Sequence, residues 1–272
     1  MIIGNVSIYP KEEARQLKPM VDYAVSRMSD VGIRRADFYI ARNRQEMVQA
    51  LREGKVDWVT DTPFPILDFS QQTGGEMLAR RWKKGVEEYY SVFVTPKGSG
   101  ISDLSDLVGK KIVFQDKDSS SAYFAPSAIL LEQGYALQEL SSPHEEPDPD
   151  RIGVVFGKEE TFNQIAWMRK GMAKAAAMSI LDWQELSAQI KGQMVIFAKS
   201  QPFPRGVEMV RRDLSPTVKA RLKEVLLKAH EDPLAADALR SYSKTSKFDE
   251  ITPQVEESLS YVRRLLILCQ GC

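Results

Sequence analysis

Ile112-Val-Phe-Gln-Asp-Lys-Asp-Ser-Ser-Ser-Ala-Tyr-Phe-Ala-Pro126 is the stretch from which the rest of the chain can be read. Ile112, Val113 and Phe114 are β-favouring and apolar, a length that suits one short buried strand. Polar turn formers follow, then Ser119, Ser120 and Ser121, then a segment able to continue as a helix through Ile129, Leu130 and Leu131. A helix that starts on serines gathers unpaired backbone N–H groups, the positive end of its dipole and hydroxyl donors at one place. Such a turn can hold an anion. Read alone, Ser119 needs no more explanation than an N-cap. The organisation of the remaining chain gives the serines a second meaning.

The 272 residues suffice for one large domain or two lobes. Hydrophobic residues at 43% and charged residues at 27% are ordinary for a globular protein. Thirty-seven basic and thirty-seven acidic residues cancel, which argues against a nucleic-acid surface or a polybasic membrane patch. Selectivity for an anion would have to come from local donors and dipoles, not from a bulk field. No apolar run is long enough to span a bilayer. The opening Met1-Ile-Ile-Gly-Asn-Val6 lacks the pattern of a signal peptide, so the chain is expected to be cytoplasmic or a mature form that begins at its first strand. Cys269 and Cys272 form a terminal Cys-Gln-Gly-Cys with no second Cys/His pair, and the preceding residues contain no cysteine. The fold is therefore not expected to depend on disulfides, and neither a metal site nor a cofactor is expected.

From the N-terminus, strands are expected at Ile2–Val6, Ala36–Ile40 and Val56–Val59. Between them lie helices over residues 11–29, with Pro19 kinking or delaying the first, and 44–53, closed by Gly54. This βαβαβ order implies a largely parallel sheet covered by helices. After a strand at Ser91–Thr95 the pattern restarts. A short helix over 103–107 capped by Ser102, the Ile112–Phe114 strand, the helix after Ser119 and strands at Gly153–Phe156, Ala173–Met178 and Met194–Ala198 make a second unit. It also holds helices over Thr161–Lys170 and Trp183–Ile190, the latter capped by Asp182. Beyond Pro204 the chain reads as mainly helical, with Ser215-Pro216 and Thr252-Pro253 as helix starts. Two α/β units thus stand in one chain, with crossings expected near 94–97 and 198–204. The expected division is residues 1–95 plus 200–272 for the first lobe and 96–199 for the second, joined by a two-strand hinge. A cleft between two such lobes is a common ligand site.

Several segments resemble the periplasmic phosphonate/phosphate/phosphite substrate-binding proteins of ABC transporters. They are Ile3-Gly-Asn-Val-Ser-Ile-Tyr-Pro10, Val56-Asp-Trp-Val-Thr-Asp-Thr-Pro63, Tyr90-Ser-Val-Phe-Val-Thr95, Lys110 through Pro126, and Ser200-Gln-Pro-Phe-Pro204. The match extends over most of residues 1–250, and Lys110–Pro126 is its most specific part. The resemblance implies the type II periplasmic binding fold, each lobe a mostly parallel sheet flanked by helices. It also implies an anion site using Ser119, Ser120 and Ser121, hydroxyls of Tyr123, Tyr90 and Tyr9, and Thr60, Asp61 and Thr62 from the other lobe. Glu159 stands where the family tends to have histidine, and Lys174 where it tends to have aspartate. In amino-phosphonate binders that acid would pair with the ligand amine, so Lys174 implies a ligand without one.

Three functions follow for weighing. The first is an extracytoplasmic receptor that captures a phosphorus oxyanion (phosphonate, phosphate or phosphite) and passes it to an ABC permease, acting as a monomer without nucleic acid. The second is a sensory module of the same fold, coupled to a kinase or cyclase effector. The third is an enzyme on this architecture. Against the third, His144 lies in an acidic, proline-containing loop and His230 at a helix end, and the chain has no Ser/His/Asp order, metal-ligand cluster or phosphate-binding glycine loop. Glu159 and Glu160 read as acids at a helix start, so no catalytic residue is assigned.

Overall fold

The computed structural model describes residues 1–157 and 161–269, so Glu159 and Cys272 lie outside the described residues. In chain order the elements are β1 (Ile2–Val6), α1 (Pro10–Ser26), β2 (Asp37–Ala41), α2 (Arg44–Arg52), β3 (Trp58–Asp61), α3 (Pro63–Thr73), β4 (Glu76–Arg81), β5 (Glu88–Tyr89), β6 (Ser91–Pro96) and β7 (Lys111–Phe114). Then come α4 (Ala125–Glu132), β8 (Ala136–Glu139), β9 (Arg151–Phe156), α5 (Thr161–Arg169), β10 (Ala175–Ser179), α6 (Ile180–Glu185), α7 (Ala188–Gln193), β11 (Met194–Lys199) and β12 (Phe203–Pro204). The chain closes with β13 (Val207–Val210), α8 (Pro216–Lys228), α9 (Ala236–Ser241), β14 (Phe248–Asp249) and α10 (Pro253–Leu268). Two compact units result, Met1–Glu88 with Pro204–Leu259 and Tyr89–Phe203 with Ser260–Cys272.

The first unit has a six-stranded sheet in the order β14-β4-β13-β3-β1-β2. Its parallel part is the βαβαβ segment, with β1 between β2 and β3. The other three ladders, β13 with β3, β13 with β4 and β14 with β4, are antiparallel, so this sheet is mixed. Strands β4, β13 and β14 carry charged residues at positions that pattern reading leaves blank. Helix α1 places Leu17, Met20, Val21 and Ala24 in the core against Trp58, Leu222 and Leu226. It runs through Pro19 without interruption. The buried stripe on both sides of the proline holds the helix despite the lost N–H donor. The Asn43 side chain caps α2 by accepting from the Glu46 amide at 2.9 Å, and Ser215 caps α8 through the Val218 amide.

The second unit has a sheet in the order β11-β6-β10-β7-β9-β8. Strands β10, β7, β9 and β8 are parallel, while β6 runs antiparallel between β10 and β11. Val92, Val94, Val113, Val155, Ile165, Met168, Ala176 and Met178 form its core. Because β6 pairs along its length with this sheet, the first crossing falls at Glu88–Tyr89, earlier than the sequence suggested. The return falls at Phe203–Pro204, and the crossing segments β5 and β12 pair as a two-stranded ladder. From Ser260 onward α10 groups with the second unit, where the sequence had placed the whole C-terminal part with the first. The helix expected over 183–190 is two short ones. Ser179, not Asp182, caps α6 through the Asp182 amide, and Ser187 caps α7 through the Ile190 amide. Asp103 likewise replaces Ser102 as the cap of the short turn at Leu104–Leu107.

Candidate functional site

Strand β7 ends at Phe114, and the chain turns through Asp116–Asp118 before the serines. Ser119 is extended and its Oγ accepts from the Ala122 amide at 3.1 Å. The helix opens with a wide π-type turn over Ser120–Phe124, in which the Phe124 amide donates to the Ser119 carbonyl at 3.0 Å, before α4 continues it. Such wide turns are rare and cluster at functional sites. Ser120 and Ser121 are buried at 2% and 6% exposure. The opening amides of a helical segment have no acceptor within it. The result is a serine-lined amide turn at the carboxyl end of a parallel strand, where ligands of α/β sheets bind.

Tyr123 sits on this turn, 5% exposed, with its ring 5.6 Å from Phe114 and 5.2 Å from Phe156. The aromatic cluster holds the turn against the sheet. Tyr90 precedes β6, whose Ser91 pairs with Ser179 at the carboxyl end of β10. It therefore shares a sheet end with the serines. Lys174 does not. It precedes β10, its amide donates to the Lys111 carbonyl at the start of β7, and its side chain is exposed. The serine turn follows the other end of β7, about 10 Å or more away at strand rise. Lys174 is thus no part of this turn, and the argument it offered against an amine-bearing ligand falls. Glu159 lies outside the described residues.

In the first unit the expected residues separate. Thr60 is fully buried and its Oγ1 donates to Glu208 Oε1 at 2.9 Å. Glu208, also fully buried, further accepts from Trp58 Nε1 at 2.5 Å and Tyr242 OH at 3.0 Å, with Arg81 Nε at 3.4 Å. Thr60 therefore serves a buried polar network. Burial raises the Glu208 carboxyl above its ordinary range, opposed by Arg81 and the three hydrogen bonds. Tyr9 is 57% exposed and occupies the N-cap position of α1, its amide donating to Ser7 Oγ.

Asp61 and Thr62, in contrast, line a cavity of about 190 Å³ with Asn5, Glu13, Gln16, Leu17, Arg81, Lys83, Tyr242 and Ser243. It lies at the carboxyl ends of β1, β3 and β4. Asp61 Oδ1 accepts from the Thr62 amide at 2.6 Å. Burial pushes the Asp61 carboxyl up to about 6, although Thr62, Lys83 and Arg81 pull it down. Burial lowers the Lys83 ammonium to about 7, helped by Arg81 and Arg205 and opposed by Asp61 and Glu13. Sequence reading missed Arg81 and Lys83. The signal available was two arginines, Arg80 and Arg81, ending an otherwise apolar Met77-Leu78-Ala79, which demands buried carboxylates nearby.

The family described as "ABC transporter, phosphonate, periplasmic substrate-binding protein" matches residues 6–255. The chain belongs to this family. Its members are substrate-binding components, so a small-molecule ligand and a permease partner go with membership. XAC2383 from Xanthomonas citri is similar at 31% identity. Its chloride-bound structure has a TM-score of 0.92, with 100% of this chain and 99% of that one covered. The ATP-bound structure of the same protein gives 0.91, with 99% and 98% covered. PhnD1 from Prochlorococcus marinus in complex with methylphosphonate shares the fold at 15% identity and a TM-score of 0.67, covering 98% of each chain.

Proposed function

We propose that the protein is an extracytoplasmic, monomeric receptor that captures a phosphorus oxyanion on the Ser119–Ser121 turn and delivers it to an ABC permease. The observation that carries this reading is the pair of buried hydroxyls, Ser120 and Ser121, on an amide turn at the carboxyl end of β7. Each direct hydrogen bond to a charged ligand contributes about 1.5–3 kcal/mol, and several together support micromolar or tighter binding. Tyr123 fixes the turn, and Tyr90 lies at the same sheet end as a further hydroxyl. Family membership supports the transport role. Asp61 and Thr62 belong to the cavity of the first unit, and Thr60 is excluded from contact by its bond to Glu208.

A second ligand class has a specific observation behind it. The relative at 31% identity is bound to ATP, which favours the phosphate chain of a nucleotide as the captured group. Calorimetric titration with phosphate, phosphite, methylphosphonate, sulfate and ATP separates the two. Tight binding of a small phosphorus oxyanion, lost in the Ser120→Ala/Ser121→Ala variant, is the expected result. Binding of ATP alone would assign the site to nucleotides, and no binding of any of the five would overturn both readings.

A further inference from the structure

The chain passes between its two units three times, after Glu88, after Phe203 and, within α10, after Leu259. On the first-unit side all three passages are tied, directly or through one intermediate, to a single buried arginine. Arg80 on β4 is 8% exposed. Its Nε and Nη2 donate to the two carboxylate oxygens of Asp249, the residue opposite it on β14, at 2.9 and 2.6 Å. Its Nη2 also donates to Glu87 Oε2 at 3.1 Å, and its Nη1 to Glu88 Oε1 at 3.4 Å. Glu87 and Glu88 are the last residues before the first passage. The Glu87 carbonyl accepts from the Arg205 amide at 2.8 Å, just after the return at Phe203–Pro204. Glu88 Oε1 accepts from Ser258 Oγ at 3.1 Å, one residue before Leu259 ends the first unit's share of α10.

A guanidinium buried for stability alone is satisfied by one bidentate carboxylate, which Asp249 supplies. Two further carboxylates on the same cation exceed what charge balance requires, and both belong to a passage segment. Arginine is suited to serve all three, because its planar fork carries five donors where lysine offers a point charge. Without it the three acids would repel one another and loosen the segments that bear them.

The third passage reaches the serine turn. Helix α10 runs from Pro253 to Leu268 without a break. Its second-unit part buries Val262 and Leu265 and pairs Arg264 with Glu132, the last residue of α4, at 3.2 Å. It leads to Cys269, whose Sγ lies 4.0 Å from the Phe124 carbonyl oxygen. Phe124 closes the π-type turn that begins at Ser120, and α4 is the helix that continues it. The C-terminal segment therefore touches both ends of the element that carries the serines, and a rigid helix passes a displacement at one end to the other. We propose that Arg80 is a positioning residue for ligand capture. It fixes the three passages on the first unit and, through Glu88, Ser258 and α10, the setting of the Ser119–Ser121 turn. The inference rests on that turn as the ligand's seat and adds to it a residue that touches no ligand.

Native-state hydrogen exchange and phosphate calorimetry on the full chain test it. Arg80→Met is expected to speed exchange around Tyr89, Arg205 and Ser260 together, beyond any change in β1 and β7, since exchange reads local opening amide by amide. The same variant is expected to weaken phosphate binding about two- to thirtyfold, the span of couplings carried through packed elements. Ser258→Ala removes the α10 tie alone. It is expected to speed exchange around Ser260 and weaken phosphate binding while leaving Tyr89 and Arg205 as they were. Thr60→Val, a destabilising first-unit change that leaves Arg80 and its partners intact, should move neither readout. Exchange that rises uniformly, or only in β14, would reduce Arg80 to a structural role and overturn the proposal, as would an unchanged phosphate affinity in Arg80→Met. Should Arg80→Met not fold, Glu88→Gln, which leaves Asp249 on the arginine, is read in its place against the same outcomes. A wild-type chain that binds no phosphate would count against the serine turn, and the exchange pattern alone would then uphold or overturn the tie at Arg80.

Discussion

At the scale of single residues, environment overrides residue type. Thr60, Asp61 and Thr62 are consecutive, yet Thr60 points to a buried glutamate and the next two line a cavity. From Thr60 to Asp61 the alternation is that of a strand, whose successive side chains face opposite ways, while Thr62 lies beyond the end of β3 at the start of α3. Thr60→Val is expected to cost about 1–3 kcal/mol, the value of a hydrogen bond to a buried charged group. It should leave anion-induced stabilisation unchanged, as a melting curve with and without phosphate would show. A change in the ligand response would return Thr60 to the site. Asp61 carries a stability prediction with a definite sign. Its folded carboxyl titrates near 6, above the ordinary 3.8, so its contribution is present below the lower value and lost as pH rises through the upper one. Asp61→Asn is therefore expected to stabilise the protein at pH 8 by up to about 3 kcal/mol and to do little at pH 3.5. Equal effects at both pH values would refute the assignment.

Elements show where local sequence suffices and where packing decides. The Ser119 cap was legible because an N-cap is a local device: one side-chain oxygen and an amide three residues on. Ser119→Ala is expected to cost about 1 kcal/mol in denaturant unfolding. Ser120→Ala/Ser121→Ala should instead act on ligand affinity, and a larger stability loss than binding loss would make these serines structural. Pro19 is the reverse case. A proline inside a helix predicts a break, but Leu17, Met20, Val21 and Ala24 bury around it and α1 continues. Pro19→Ala is expected to stabilise by roughly 1–3 kcal/mol, since it restores a helical donor without touching the buried stripe. A destabilised variant would show that the proline is packed to advantage. Strands β4 and β13 escaped the sequence because their buried charges, Arg80, Arg81 and Glu208, interrupt the apolar alternation by which strands are found. Arg81 meets Glu208 at 3.4 Å while Arg80 is held by Asp249, and only the pairing of β4 with β13 and β14 reveals these partners.

For the molecule as a whole, acidic and basic residues are equal in number, so ligand capture must draw on local groups. Phosphate at 100 times its dissociation constant is expected to stabilise the folded state by about 2.7 kcal/mol, a rise in melting temperature of roughly 5–10 °C. The shift should be absent in Ser120→Ala/Ser121→Ala and present in Thr60→Val. The two α/β units were visible in the chain as a βαβαβ pattern that restarts, and the serine turn was visible as the break between a strand and a helix. Those are short-range signals, carried by side-chain periodicity and by caps within a few residues. The sequence by itself therefore determined the fold class and the Ser119–Ser121 turn. Tertiary structure alone decided that Lys174 stands at the far end of β7 from that turn, that Thr60 is spoken for by Glu208, and that Lys83 and Arg81 share a cavity with Asp61. The reason is physical: which groups meet depends on strand direction and register, and these are fixed by pairings between residues far apart in the chain, 150 positions for Trp58 and Glu208.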